Sequence, residues 1–371
     1  MGKKRWKKVG WGITVFIILF LGGWLVISQA PQAPREELKL ARESLNAAQK
    51  AGAAKNAAAV YNEAQQLYDS AMVCWAVQNK RFFLVRDFST VSDLCGQVIS
   101  RAREAGEKSV KHTQSTNKLL KNGLANLDQQ VSRFDRLYKK LPLPENVITA
   151  YNNGKMKLSE AKIAFGSNRN NEAQQHWKEA EKLIGEANRK AERLLADWFI
   201  HYPQWKKYGA EAIRLSKSGQ RVILVDKLAH SCMVYQNGKI VKQFEAELGK
   251  NWIGDKRKKG DKATPEGLYR VTRKKDRFHT KFHRALLLNY PNDDDKKRFA
   301  EEKKKGSIPA GSDIGGLIEI HGHGGKGVDW TDGCVALTND DMDSLFRLVA
   351  AGTPVIIVGS LKSLQEIYGR N

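Results

Sequence analysis

Apolar residues fall into three patterns along the chain, and each predicts a different kind of element. From Val9 to Ile27 they are nearly continuous, and the nineteen-residue run VGWGITVFIILFLGGWLVI carries no charge. As a helix it would rise about 28 Å, close to the hydrocarbon thickness of a bilayer. From about Pro34 to Phe199 apolar residues recur at steps of three and four. One stripe is Leu120, Leu124, Leu127, Val131, Phe134, Tyr138 and Leu141; a second is Trp177, Ala180, Ile184, Ala187, Ala191, Leu194 and Trp198. Such heptad-like seams predict long helices in an antiparallel bundle or coiled coil. Leu141-Pro142-Leu143-Pro144 and Gly166-Ser167-Asn168 interrupt them. After Trp205 the runs become short. Arg221–Val225 and Ser231–Tyr235, followed by Asn237-Gly238, predict strands leading into a hairpin turn. Further strands are expected at Gly267–Thr272, Ala285–Asn289, Leu317–His321, Cys334–Leu337 and Pro354–Val358.

The chain therefore reads as an α plus all-β multidomain protein. Residues 1–30 form a basic tip and transmembrane anchor, 31–200 a helical region, and 201–218 a linker with a connecting helix over Trp205–Leu215. Residues 219–360 form a β-rich domain, and 361–371 a tail. Asn62-Glu63-Ala64-Gln65-Gln66 recurs as Asn171-Glu172-Ala173-Gln174-Gln175, followed in step by Tyr68 or Trp177 and by Ala71 or Ala180. Two copies of so short a match do not define a repeat.

Charge and cysteine content narrow the function. With 63 Lys and Arg against 40 Asp and Glu, the net charge of +23 fits nucleic acid, a membrane surface or an anionic polymer. The 41% hydrophobic content excludes wholesale disorder. Lys3, Lys4, Arg5, Lys7 and Lys8 precede the apolar run, whereas Arg35 after it is balanced by Glu36 and Glu37. The positive-inside rule then keeps the N-terminus cytoplasmic and exports the rest, as a single-pass inner-membrane protein with a periplasmic C-terminal domain. A cleaved signal peptide ending near Ser28-Gln29-Ala30 is the competing reading. Either way nucleic acid is not expected as a partner. The helical region is available to a protein partner. Cys74 and Cys95 could bridge in an oxidising compartment or be two small buried residues. The four cysteines show no zinc spacing, so no structural metal is expected.

Candidate chemistry lies between His321 and Asn339. Ile318-Glu319-Ile320-His321-Gly322-His323-Gly324-Gly325 ends a strand in a glycine-rich loop. Thr331-Asp332-Gly333-Cys334 then leads into another strand. A free thiol is only a few per cent thiolate at pH 7, and an imidazole in reach raises that fraction and can protonate the leaving amine. Gly333 allows a tight turn whose amides could face an oxyanion. Cys232 reads as a packed strand residue, and His230 as carrying no chemistry. The basic stretch Lys250–Lys305 reads either as solvated loops or as attraction to anionic wall or lipid groups.

Residues 219–359 resemble the catalytic domain of the L,D-transpeptidases, the YkuD family. The resemblance rests on the strand-end His-Gly and on Thr331-Asp332-Gly333-Cys334. It also rests on Val225-Asp226-Lys227, on the hairpin at Gly238, and on Ala263-Thr264-Pro265-Glu266-Gly267. Arg284–Asn292 and Asp329–Cys334 resemble the YafK-type branch. The resemblance implies a β-sandwich-like domain needing no cofactor and acting on peptidoglycan tetrapeptide stems. It implies Cys334 as nucleophile, His321 as general base, and the Gly333 and Cys334 amides as oxyanion donors. His323, Gly322, Trp330, Thr331, Asp332 and Asn339 are implied as substrate-binding or supporting residues. Asp332 and Ala336 depart from the family's usual His and Arg, which leaves the acyl acceptor open. With an amine acceptor the protein is a transpeptidase; with water it is a hydrolase or amidase. The rival from another class is a non-catalytic wall-binding scaffold.

Overall fold

A computed structural model of the protein describes residues 31–369, together with residues 11, 15, 16, 18, 21, 24 and 28. The run read as a transmembrane anchor, and the cleavage site that competes with it, fall largely outside the described residues. Among the described residues no helix is long and apolar enough to cross a membrane. The chain divides into two compact units, residues 1–123 and 124–371.

In the first unit, helices α1 (Arg35–Lys50), α2 (Ala53–Asn56) and α3 (Ala58–Asn79) pack with the beginning of α4 (Ser89–Leu137). Leu38, Ala41, Leu45 and Ala48 present a stripe at steps of three and four, and it is buried against Ala64, Ala71, Val91, Cys95, Val98 and Ala102. So many alanines favour the helix and let the backbones approach closely. Asn56 Nδ2 donates to Ser109 Oγ and to Thr113 Oγ1, both at 3.2 Å, and Ser109 Oγ donates to the Ala51 carbonyl at 2.6 Å. These bonds pin the α1–α3 turn to α4. Cys74 and Cys95 are both free thiols.

The second unit takes the end of α4, then α5 (Glu145–Gly166), α6 (Asn170–Phe199) and α7 (Tyr202–Lys217). The first apolar stripe from Leu124 onward and the whole of the second line its helical core. Gly154 lets α5 approach α6 closely: a Cβ there would lie 2.7 Å from Ile184 Cγ1. Tyr202–Lys217, within the stretch read as a linker, is a helix seated on the sheet. Trp205 is 1% exposed, and its indole covers Gly359, where a Cβ would stand 2.3 Å from the ring.

Eight strands follow: β1 (Val222–Asp226), β2 (Ser231–Gln236), β3 (Lys239–Glu245), β4 (Gly267–Lys275), β5 (Ala285–Leu288), β6 (Glu319–His321), β7 (Val335–Ala336) and β8 (Pro354–Val358). Three further helices are α8 (Asp293–Lys304), α9 (Asn339–Leu348) and α10 (Leu364–Tyr368). Asn237 and Gly238, at φ of 53° and 78°, make the tight β2–β3 turn that the Asn-Gly pair demands. The strands form one mixed sheet in the order β3-β2-β1-β8-β4-β5-β6-β7, with β1–β8 and β6–β7 parallel.

This corrects the expected β-sandwich. There is a single curled sheet, a half-barrel, rather than two facing sheets. Its two edges approach each other: just past β3, Glu247 bridges Ala336 of β7, and Gly249 bridges Thr331. Strand alternation looks the same in a sandwich and in a curled sheet, so the pattern alone could not separate them. β1 is buried along its whole length, because the curl covers one face and helices cover the other.

Beneath α6 and α7 lies a buried ionic node. Lys227 Nζ, wholly buried, donates to Gly254 O at 2.7 Å, Thr264 O at 2.8 Å and Glu266 Oε1 at 2.8 Å. The Trp198 and Trp205 indoles donate to the two Glu266 oxygens at 2.9 and 2.8 Å. Every formal charge is thus paired and hydrogen-bonded, the condition for tolerating it in a core.

Candidate active site

The parallel β6–β7 ladder decides what meets what. Ile320 pairs with Val335 and His321 with Ala336. Side chains alternate along a strand, so Ile320 points into the core while Glu319 and His321 share the other face. Cys334, immediately before β7, falls beside Glu319, whose amide donates to Sγ at 3.4 Å. The thiol in turn reaches the Leu317 carbonyl at 3.7 Å. Leu317 has a φ of 58° and is 74% exposed, an unusual conformation for a branched residue that aims its carbonyl at the sulfur.

Gly333 makes the approach to the sulfur possible. Its φ is 130°, and a Cβ would stand 2.5 Å from the Ala263 carbonyl oxygen. Thr331 Oγ1 donates to the Cys334 carbonyl at 2.7 Å and accepts from the Gly333 amide at 3.2 Å. The turn carrying the cysteine is therefore closed by its own threonine.

His321 is 1% exposed. Its Nδ1 lies 2.6 Å from the Gly322 carbonyl. A carbonyl can only accept, so Nδ1 carries the hydrogen and Nε2 is the basic nitrogen. Nε2 is buried without a hydrogen-bond partner. The ring lies flat on Phe282, with centroids 3.5 Å apart and planes 7° apart, and meets Trp330 edge-on at 5.8 Å. Trp330 is fixed by donating to Glu247 Oε2 at 2.7 Å, while Glu247 Oε1 accepts from the Gly327 amide at 2.6 Å. Lys326 Nζ sits over the Trp330 ring at 3.3 Å.

Burial dominates the electrostatics of both groups. It pulls the His321 imidazole down to about 4, against the Gly322 hydrogen bond and assisted by the charges of His323, Lys281 and Lys326. Burial likewise pushes the Cys334 thiol up to about 11; the Glu319 amide opposes the rise and the Glu319 carboxylate adds to it. That carboxylate is paired to Lys275 at 2.6 Å. At neutral pH the resting pair is thus thiol and neutral imidazole.

The other sequence-derived candidates divide. Gly322, Thr331, Trp330 and Asn339 are built into the same neighbourhood. Asn339, the first residue of α9, accepts the His323 amide at 2.9 Å, and a Cβ on Gly322 would stand 2.7 Å from that acceptor. The His323 side chain is exposed, at a φ of 67°, and Asp332 is exposed on the turn. His230 is structural in its contacts: Nε2 lies 2.9 Å from Asp329 Oδ2, and the ring meets Trp252 edge-on at 4.9 Å. Cys232 is fully buried in β2. Among the described residues, no group of three or more His, Cys, Asp or Glu could hold a metal ion.

Phe282, Glu247 and Leu317 escaped the sequence reading. Phe282 and Glu247 lie outside the strands, where no periodicity marks them, and a glycine-rich context hid the strained backbone at Leu317. Much of the basic stretch is also consumed internally. Lys256 is 4% exposed and paired with Asp261 at 2.7 Å, and Lys274 Nζ donates to the Phe346 and Val349 carbonyls at 2.6 and 2.8 Å.

The curled mixed sheet thus carries His321 at the end of β6 and Cys334 just before the neighbouring β7. Residues 220–357 match the model of the YkuD family, the L,D-transpeptidase catalytic domain. No curated protein matches the chain. Among solved structures it is similar to Bd1075 of Bdellovibrio bacteriovorus, at 24% identity and a TM-score of 0.30, over 41% of this chain and 53% of that one. It is also similar to an L,D-transpeptidase from Mycobacterium smegmatis, at 16% identity and a TM-score of 0.25, over 38% and 58%. L,D-transpeptidase 1 of Mycobacterium tuberculosis is 16% identical with a TM-score of 0.24, over 38% and 62%. The chain thus spans between 53 and 62% of the length of these three structures. At such TM-scores the likeness carries no argument about mechanism.

Proposed function

We propose that the protein is a cysteine acyltransferase of the cell wall, acting on tetrapeptide stems of peptidoglycan. The observation that carries this is the His321 arrangement. Its Nδ1 is committed to the Gly322 carbonyl, which leaves Nε2 unpartnered as the basic nitrogen, and the β6–β7 register sets Cys334 beside Glu319, two residues from His321. Substrate binding at this face brings a carbonyl carbon to the thiol. His321 Nε2 takes the thiol proton as sulfur attacks the carbonyl of the third stem residue, and the Cys334 amide faces the developing oxyanion. The proton then passes from Nε2 to the departing amine of D-alanine, leaving a thioester. An acceptor amine attacks the thioester, gives a proton to Nε2, and the thiolate recovers it on release. Each half-reaction conserves its protons through one nitrogen, which suits a base that starts neutral. The Gly333 amide already serves Thr331, so the oxyanion relies chiefly on Cys334.

The apolar run Val9–Ile27 and its five basic flanking residues support an exported, membrane-anchored chain. Peptidoglycan is then within reach of Cys334. Incubating the full chain with defined disaccharide tetrapeptides and reading products by mass tests the proposal. Cross-linked dimers with release of D-alanine are the expected products. Tripeptides without dimers would replace the amine acceptor by water. Unchanged substrate would overturn the acyl-transfer reading.

A further inference from the structure

The first unit carries a surface that acyl transfer leaves unused. α3 ends at Asn79, and the chain returns to α4 through Lys80-Arg81-Phe82-Phe83-Leu84-Val85-Arg86. Phe82, Leu84 and Val85 are 64, 42 and 61% exposed, a concentration of apolar side chains that folding would ordinarily bury. The turn is not slack. Arg86 folds back, donating from Nη2 to the Asn79 carbonyl at 3.0 Å and from Nε to the Arg81 carbonyl at 3.1 Å. The Asp87 amide donates to Gln78 Oε1 at 3.1 Å, and Phe88 is anchored in the core. The braced turn holds its apolar side chains outward, with Lys80 and Arg81 exposed beside them.

Its place in the unit is equally specific. Arg35, Leu38, Lys39 and Arg42, at the start of α1, share a cleft of about 450 Å³ with Tyr68, Met72 and Trp75 of α3. The two helices therefore run antiparallel, and the turn lies at the end of the unit where α1 begins. In the sequence, that end is the one approached from the apolar run Val9–Ile27. The cleft brings three cations, of which Lys39 lies 4.0 Å from Glu36, over an aromatic floor at the same end.

We propose that the Phe82–Val85 turn is a membrane foot that seats in the surface of an anionic phospholipid bilayer. Its apolar tip enters the boundary between headgroups and acyl chains, and Lys80 and Arg81, with the basic cleft behind them, meet the phosphates. For its location, though not its chemistry, this rests on the anchored reading of the N-terminal run.

The test places the photoreactive analogue p-benzoylphenylalanine at the position of Phe82, or separately of Phe16, in the full chain reconstituted into phosphatidylethanolamine–phosphatidylglycerol vesicles. The same probe at the exposed Ile163 serves as a control. Illumination followed by mass analysis should give a phospholipid adduct at position 82 well above the control. That adduct should fall several-fold when Lys80→Glu and Arg81→Glu are combined. Survival of the adduct through that charge reversal would overturn the headgroup contact. An adduct at 16 with none at 82, or cross-links from 82 to protein instead, would overturn the foot and leave the anchor intact. Silence at both positions would overturn the anchored reading and the foot together. An adduct at 82 without one at 16 would support the foot and contradict the anchor.

Discussion

At the residue scale the candidate active site is built on two buried titratable groups, and burial has consequences for stability as well as chemistry. His321 gains a proton near pH 6.5 in an unfolded chain but only near pH 4 in the fold. Between those values the unfolded state binds more protons, so stability is complete above pH 6.5 and is lost as pH falls toward 4. The loss is about 3 kcal/mol at most, since each pH unit of difference is worth roughly 1.4 kcal/mol. Urea midpoints measured at pH 7 and pH 5 should drop more steeply in the wild-type chain than in His321→Gln. Equal slopes would mean that the ring is solvated. Gly333→Ala should be both inactive and strongly destabilised, by about 2 kcal/mol or more, because the added methyl meets a backbone carbonyl at a φ that side chains rarely adopt. A thermal melt matching the wild type would remove the steric argument. Cys334 and His321 were singled out in the sequence through the resemblance of their His-Gly and Thr331-Asp332-Gly333-Cys334 settings to the YkuD motifs, since a cysteine and a histidine thirteen positions apart carry little weight by spacing alone. Phe282 was not, because a ring stacked from a loop leaves no periodic trace.

At the element scale, seven of the eight strands were legible to within a few residues, since apolar alternation and the Asn237-Gly238 turn are local signals, whereas β3 is mostly exposed and was given no range. The curl of the sheet was not. It depends on Glu247 and Gly249 reaching β7 and its approach, a pairing between segments more than eighty residues apart. Nor could pattern show that Trp198 of α6 and Trp205 of α7 converge on Glu266, with Lys227 completing the node. Lys227→Met would leave the Glu266 carboxylate buried with two indole donors and no cation. The expected cost is about 3–5 kcal/mol, read as a lowered urea midpoint. Lys227→Met combined with Glu266→Gln should recover part of it. If the single variant is as stable as wild type, the node is not the clasp between helices and sheet described above.

At the scale of the whole molecule, the sequence separated helical and β-rich regions where the composition shifts, because each region has its own apolar period. It did not reveal that the compact division falls within α4, since the stripe running from Leu120 to Leu141 passes through the boundary without a break. Function at this scale depends on topology. If the basic N-terminal flank stays in the cytoplasm, protease added to spheroplasts should digest the YkuD domain while cytoplasmic markers survive. Protection of the domain in intact spheroplasts would separate Cys334 from peptidoglycan altogether. The most direct measurement is the covalent intermediate itself. The full chain, mixed with disaccharide tetrapeptide and quenched in acid, should show by intact mass one added acyl group equal to the substrate less D-alanine. Peptide mapping should place it on Cys334, and Cys334→Ala should carry none and release no D-alanine. An acyl group on Cys74, Cys95 or Cys232, or D-alanine release that persists in Cys334→Ala, would contradict the account.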